Sequence, residues 1–206
     1  MKYDGVQMQS SGKSTRRALM TGVAGLSLGG VVSTTAAKPG QGLHPEAPVL
    51  VAYFSRSGNT RVIAGLLQRS LGADLFEILP ATPYPEEYLA TVEQARQERD
   101  KGVEPALKNR VPDITRFATI FLGLPIWGET APPIVRSFLS AHDLSGKTLI
   151  PFITHGGYGL GSSESVIARY APKATLLPAF SMQADQERRT MDLVNAWLGD
   201  VPTGTR

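Results

Sequence analysis

The sequence predicts an α/β domain in which parallel strands are covered on both faces by helices. Three observations carry that expectation. Val49 to Phe54 is a continuous apolar run, too unbroken for a strand with one wet face and suited to one buried on both. Strand-like and helix-like stretches alternate along the rest of the chain, and each parallel crossover must return over a face of the sheet. The first helical stretch, Thr60 to Leu71, sets Val62, Ile63, Leu66, Leu67 and Leu71 at three- and four-residue spacing, which gives one apolar face for the sheet.

The elements follow in order. After the strand at 49–54 and the helix at 60–71, Ala73 to Leu79 reads as a second strand and Glu86 to Lys101 as a second helix. That helix has a thin apolar stripe of Tyr88, Leu89, Val92 and Ala95 among many charges, so it is expected on the surface with a solvated face. Thr119 to Leu124 is a third strand and Pro132 to His142 a third helix. Lys147 to Thr154, Ser162 to Ala171, Thr175 to Phe180 and Gln186 to Leu198 complete the alternation. In the last helix Trp197 falls with Met191, Val194 and Leu198 at helical spacing, which assigns it to the core.

What precedes residue 49 reads as processing sequence. Ser14-Thr15-Arg16-Arg17-Ala18-Leu19-Met20 resembles the twin-arginine motif of bacterial export signals. A Gly-rich, mildly apolar run follows to Val32, and Thr34 to Ala37 offers a small-residue cleavage site. The run is shorter than the ~20 apolar residues that span a bilayer, so a stable membrane anchor is not expected. The domain organisation is therefore a leader at 1–37, a Pro- and Gly-rich linker at 38–48, one domain at 49–199 and a tail at 200–206, with export to the periplasm or beyond the cytoplasm. Of 21 basic and 18 acidic residues, four and one fall in the leader, leaving 17 of each. The basic balance belongs to the leader, which argues against nucleic-acid binding. Cysteine is absent, which excludes disulfides and thiolate chemistry, and the three His do not cluster with other metal ligands.

Three loops after strands hold the chemistry. Ser55-Arg56-Ser57-Gly58-Asn59-Thr60 joins a buried strand to a helix N-terminus, where backbone N–H groups lack partners and the dipole favours an anion. The turn lacks both the Lys-Ser/Thr ending of a triphosphate loop and the three spaced glycines of a dinucleotide fold; it reads as a cradle for a phosphate of another kind, and the plainer reading is a turn capped by Ser and Thr. After the third strand, Trp127 stands among Pro and Gly, either to stack on a flat ligand or to plug the sheet edge. After the fourth, glycines 156, 157, 159 and 161 permit close backbone approach, and His155 reads more simply as a hydrogen-bonded structural residue than as an acid or base.

Together these residues carry a resemblance. Tyr-Phe-Ser-x-x-Gly-Asn-Thr at 53–60, Pro-Ile-Trp at 125–127 and Thr-His-Gly-Gly at 154–157, in that order, resemble the flavodoxin-like FMN-binding family and its bacterial flavodoxin branch. The resemblance implies a three-layer sandwich with a five-stranded parallel sheet of order 2-1-3-4-5 and noncovalent FMN. It implies that Ser55, Arg56, Ser57, Gly58, Asn59 and Thr60 surround the phosphate, Arg56 through its backbone. Pro125, Ile126, Trp127, Gly128, Glu129, Thr130 and Ala131 are implied on one side of the isoalloxazine, with Thr154, His155, Gly156, Gly157, Tyr158 and Gly161 on the other. One departure is that Gly128 and Glu129 follow Trp127 where relatives often place a second aromatic. The second ring face is then less covered unless Tyr158, Tyr84 or Tyr88 reaches it, although Pro83-Tyr84-Pro85 reads as a turn with an exposed Tyr.

The expected role is electron transfer, with a redox partner protein or a small-molecule acceptor. Carriers of this family are usually strongly acidic near the flavin, whereas the domain here is formally neutral, which keeps an FMN-dependent oxidoreductase acting on quinones or other small acceptors as the alternative. No separate dinucleotide motif appears. A flavin-free binding module is the third class.

Overall fold

The computed structural model describes residues 47–183 and 187–201. The leader, most of the linker and most of the C-terminal tail lie outside the described residues, as does the start of the last helix at Gln186. Among the described residues the order is β1 (Val49–Tyr53), α1 (Asn59–Leu71), β2 (Asp74–Glu77), α2 (Tyr88–Asp100), a 3-10 turn (Ile114–Arg116), β3 (Thr119–Pro125), α3 (Pro133–Ala141), β4 (Thr148–His155), α4 (Ser163–Tyr170), β5 (Thr175–Leu176), β6 (Phe180–Gln183) and α5 (Glu187–Asp200). The strands lie in the order β2-β1-β3-β4-β5, with β6 also paired to β4, and every pairing between named strands is parallel.

Alternation along β1 divides the core. Leu50, Ala52 and Phe54 point to one face with Ile120, Leu122 and Leu124 of β3, where Ile134 and Phe138 of α3 and Ile167 of α4 cover them. Val51 and Tyr53 point to the other with Phe121, where Ile63 and Leu67 of α1 and Val194 of α5 close the layer. Ile63 and Leu67 are fully buried, a contribution of ~1.5–3 kcal/mol each that outweighs the modest propensity of a β-branched residue in a helix. Trp197 packs on this second layer, stacked on Phe180 with ring centroids 4.8 Å apart and edge-on to Phe121 at 5.6 Å.

The expected fifth strand is two pieces. Thr175–Leu176 and Phe180–Gln183 both pair with β4, and Leu177-Pro178-Ala179 separates them. Pro178 has no N–H to give the ladder. The Ala179 N–H leaves the sheet and donates to the carboxylate of Glu164 in α4 at 3.1 Å. On the opposite side of the sheet, the segment after β2 is accompanied by a strap. Ala81 N–H donates to the Ala106 carbonyl at 2.7 Å and Lys108 N–H to the Leu79 carbonyl at 2.8 Å.

Strand order reverses between β1 and β3, so the crevice outside their carboxyl ends is where a ligand of this architecture binds.

Candidate functional site

The loop after β1 is shaped for an anion. Gly58, at φ +98°, is the N-cap of α1, which has no side-chain cap and no acidic residue in its first turn. Ser55 Oγ accepts the Gly58 N–H at 3.1 Å and so closes the turn. Asn59, Thr60 and Arg61, the first three helical residues, have no intrahelical acceptor for their amides. The result is uncompensated positive potential at the mouth of the crevice. Thr60 also braces the frame, because its Oγ1 lies 2.8 Å from Thr154 Oγ1 and both side chains are buried. That bond ties α1 to the end of β4 across the sheet, so the Thr60 hydroxyl is only partly free for a ligand.

The loop after β3 turns back at once. Trp127 N–H donates to the Thr130 carbonyl at 2.9 Å, with Gly128 at φ +58° and Glu129 at +64°, the backbone of a type I′ turn. Glycine suits its position there, while Glu129 is a non-glycine residue held in the left-handed region. The turn is stapled to the loop after β4. Ser162 N–H donates to the Glu129 carbonyl at 2.9 Å, and Ser162 Oγ lies 2.9 Å from Thr130 Oγ1. A Cβ on Gly161, which sits at φ +53°, would stand 2.1 Å from that same Glu129 carbonyl oxygen. Gly161 is therefore required by the close approach of two backbones.

Trp127 is packed at the sheet edge and also borders the cleft. Its ring packs edge-on against Phe54 at 5.1 Å and Tyr84 at 4.9 Å between centroids. Tyr84 departs from the exposed turn residue expected of it. It is half-buried in this aromatic cluster, and its hydroxyl donates to Glu98 of α2 at 2.8 Å. Burial, then the hydrogen bond to Glu98, pushes its pKa far above the usual phenol range, so the proton stays in place. His155, at the end of β4, accepts the Gly157 N–H on Nδ1 at 3.0 Å. In the neutral ring that places the proton on Nε2.

These loops enclose a cleft of about 700 Å³. Of the residues singled out from sequence, Arg56, Ser57, Asn59, Thr60, Pro125, Ile126, Trp127, Gly128, Glu129, Thr154, His155, Gly156 and Tyr158 line it. Thr130 and Gly161 line an adjoining hollow of about 480 Å³ that shares Arg99, Gly128, Glu129 and Tyr158 with the cleft. Ser55, Gly58 and Gly157 shape the turns, and Ala131 is buried beneath them in the core. The fourth wall is α2, which contributes Tyr88, Thr91, Val92, Ala95, Arg96 and Arg99. Charge pattern alone reads this face as solvated. A signal for the wall is nonetheless present, because Tyr88 and Val92, both on the cleft, are 65% and 45% exposed, apolar residues that no core covers. Arg96 is held by Glu93 and Asp100, and Arg99 by Asp100, so the wall is polar without a large net charge. Among the described residues no group of His, Cys, Asp and Glu is arranged to hold a metal, and no helix is long and apolar enough to cross a membrane.

Comparison with known proteins agrees with this geometry. No curated protein matches the chain. A structure from Bacteroides eggerthii, assigned as a flavoprotein, is 31% identical with a TM-score of 0.66, covering 77% of this chain and 99% of its own. A similarly assigned structure from Bacteroides uniformis is 25% identical with a TM-score of 0.60, covering 72% and 98%. A flavoprotein from Lactobacillus acidophilus, solved in complex with FMN, shares the fold at 17% identity and a TM-score of 0.59, covering 71% and 99%. The model of the Flavodoxin family matches residues 48–201, the whole of the described domain, and the chain belongs to that family.

Proposed function

We propose that the protein binds FMN noncovalently in this cleft and uses it in electron transfer after export by the twin-arginine route. The observation that carries the reading is the pairing, in one cleft, of an uncapped, acid-free helix N-terminus with an aromatic-backed turn. The first fits a phosphate dianion and the second a flat ring system. Ser57 and the amides of Asn59 and Thr60 would hold the phosphate. Trp127, Gly128 and the His155–Tyr158 loop would border the ring. FMN, when bound, supplies reversible one- and two-electron transfer, and the protein supplies orientation and electrostatics. Arg16 and Arg17 support export of a domain that has folded and taken up its cofactor first.

One observation favours a second reading, an FMN-dependent oxidoreductase with a small organic acceptor. The adjoining hollow of about 480 Å³ opens beside the Gly128–Glu129 turn and has room for such a molecule.

The deciding experiment is an absorbance spectrum of the purified protein, followed by titration of the flavin-free form with FMN and with riboflavin. A flavin spectrum and a clear preference for FMN are expected. A colourless protein that takes up neither ligand would leave the flavin-free module. Turnover with reduced nicotinamides and quinones, set beside reduction by a protein donor, then separates carrier from enzyme.

A further inference from the structure

Helix α2 forms the outer wall of the cleft, and its two ends are held in different ways. At the C-terminal end, Arg136, buried in α3, donates to the carbonyls of Glu98 at 3.3 Å and Val103 at 3.2 Å. Tyr84 adds its hydrogen bond to the Glu98 carboxylate. That end is anchored by a buried cation at the negative pole of the helix dipole. At the N-terminal end the contact that crosses the cleft comes from the phosphate loop. Arg56 donates from Nη2 to the Glu86 carbonyl at 2.7 Å, and its guanidinium lies 5.8 Å from the centroid of the Tyr88 ring. Both partners are exposed, and Tyr88, Leu89 and Val92 bury little there. Thr91, the buried residue of this turn, bonds its hydroxyl to Pro85 within its own segment, not across the cleft.

We infer that Arg56 is a latch: its side chain clasps the first turn of α2 over the cleft, and a flavin enters or leaves when that clasp lets go. The inference rests on the reading that this cleft holds FMN, and it assigns Arg56 a different part from its neighbours. Ser57, Asn59 and Thr60 face the cleft at the phosphate end. The Arg56 guanidinium is turned away from them to a carbonyl and a ring on another element, so it acts through α2 and is a positioning residue.

The two roles open to Arg56 give different kinetics. A phosphate ligand slows dissociation of FMN and leaves riboflavin alone. A latch slows both entry and exit, and does so for both ligands, because the helix it holds does not sense the phosphate. The measurement is stopped-flow mixing of the flavin-free full-length protein with FMN and with riboflavin, in wild type, Arg56→Gln and Arg56→Lys. In Arg56→Gln the association and dissociation rate constants are expected to rise together by about fivefold for both ligands, the scale of an exposed cation–π contact. Arg56→Lys keeps the charge over the ring but loses the planar fork, and should fall between. A rise confined to FMN dissociation, or unchanged rates, overturns the inference.

Hydrogen exchange of the flavin-free protein provides a readout that needs no ligand. Amides of Thr91 to Glu93 should exchange faster in Arg56→Gln, while those of α1 keep their wild-type rates. Equal exchange in α2 overturns the latch even if flavin binds. Failure of wild type to bind either flavin refutes the FMN reading, and the exchange result still decides whether Arg56 holds the helix.

Discussion

Gly161→Ala tests the geometry of the site through its backbone, and Gly159→Ala provides an internal control. Both glycines lie in the left-handed region, at φ +53° and +66°, so each alanine carries a conformational penalty of about 1–2 kcal/mol. They differ in what a methyl group would meet. At Gly159 there is nothing within 4 Å, whereas at Gly161 it would stand 2.1 Å from the Glu129 carbonyl oxygen and 2.7 Å from its carbon. Neither neighbour is a flexible side chain, so one loop must move away from the other. Overpacking of that kind costs about 1–3 kcal/mol. The same movement pulls on the Ser162 N–H bond to Glu129, about 0.5–1.5 kcal/mol more. Gly161→Ala should therefore lose roughly 2–4 kcal/mol beyond Gly159→Ala, a large part of the ~5–15 kcal/mol that holds a domain of this size. Urea unfolding followed by tryptophan fluorescence measures it, with the slope checked for constancy. Equal midpoints for the two variants would show that the loops after β3 and β4 are not in contact, and the stapled turn would have to be abandoned.

Three further outcomes are expected. Ser57→Ala should weaken FMN about tenfold or more and leave riboflavin nearly unchanged, because a hydroxyl on a phosphate is a charge-assisted bond worth about 1.5–3 kcal/mol; equal weakening in a calorimetric titration would mean that Ser57 shapes the loop instead. His142 gives a pH dependence, since Nε2 accepts the Val111 N–H, Nδ1 donates to the Phe138 carbonyl, and burial holds its pKa below the ordinary 6.5. The unfolded chain takes up a proton that the folded one refuses, so stability is complete above about pH 6.5 and falls as the pH drops below it towards the folded-state value; denaturation midpoints across that range should slope in wild type and flatten in His142→Gln. Replacing Arg16 and Arg17 together by Lys should keep the protein in the cytoplasm if the pair is read as an address, and normal export in cell fractionation would remove that reading.

How much of this is legible in the sequence depends on how far apart the interacting residues lie. Val49 to Tyr53 and the α1 stripe are readable because apolar periodicity is a local signal, and the three loops that border the cleft are readable as loops because Gly, Pro and Ser interrupt that periodicity after each strand. Tyr84 is not, because a residue between two prolines looks exposed until Trp127 and Glu98 are brought to it by the crossover. The partnership of Thr60 with Thr154 joins residues 94 apart, and nothing in either segment announces it. Charge pattern places α2 on the surface correctly, but cannot say which surface, and so misses that it walls the cleft. The break at Pro178 is available from the missing N–H alone, and an unbroken strand through it is the weaker expectation.

That break also bears on how the sheet ends. An open parallel sheet presents two edges, each a template for a strand from another chain. Here one edge is divided into runs of two and four residues by Leu177-Pro178-Ala179, with the freed Ala179 amide occupied by Glu164. The other is β2, four residues long, flanked by the Asp74–Arg116 and Arg61–Glu77 ion pairs and continued by a segment already paired with the 106–108 strap. Among the described residues neither side offers a long, flat, unpaired ladder. Edge-to-edge aggregation is thereby discouraged at both described edges of the sheet.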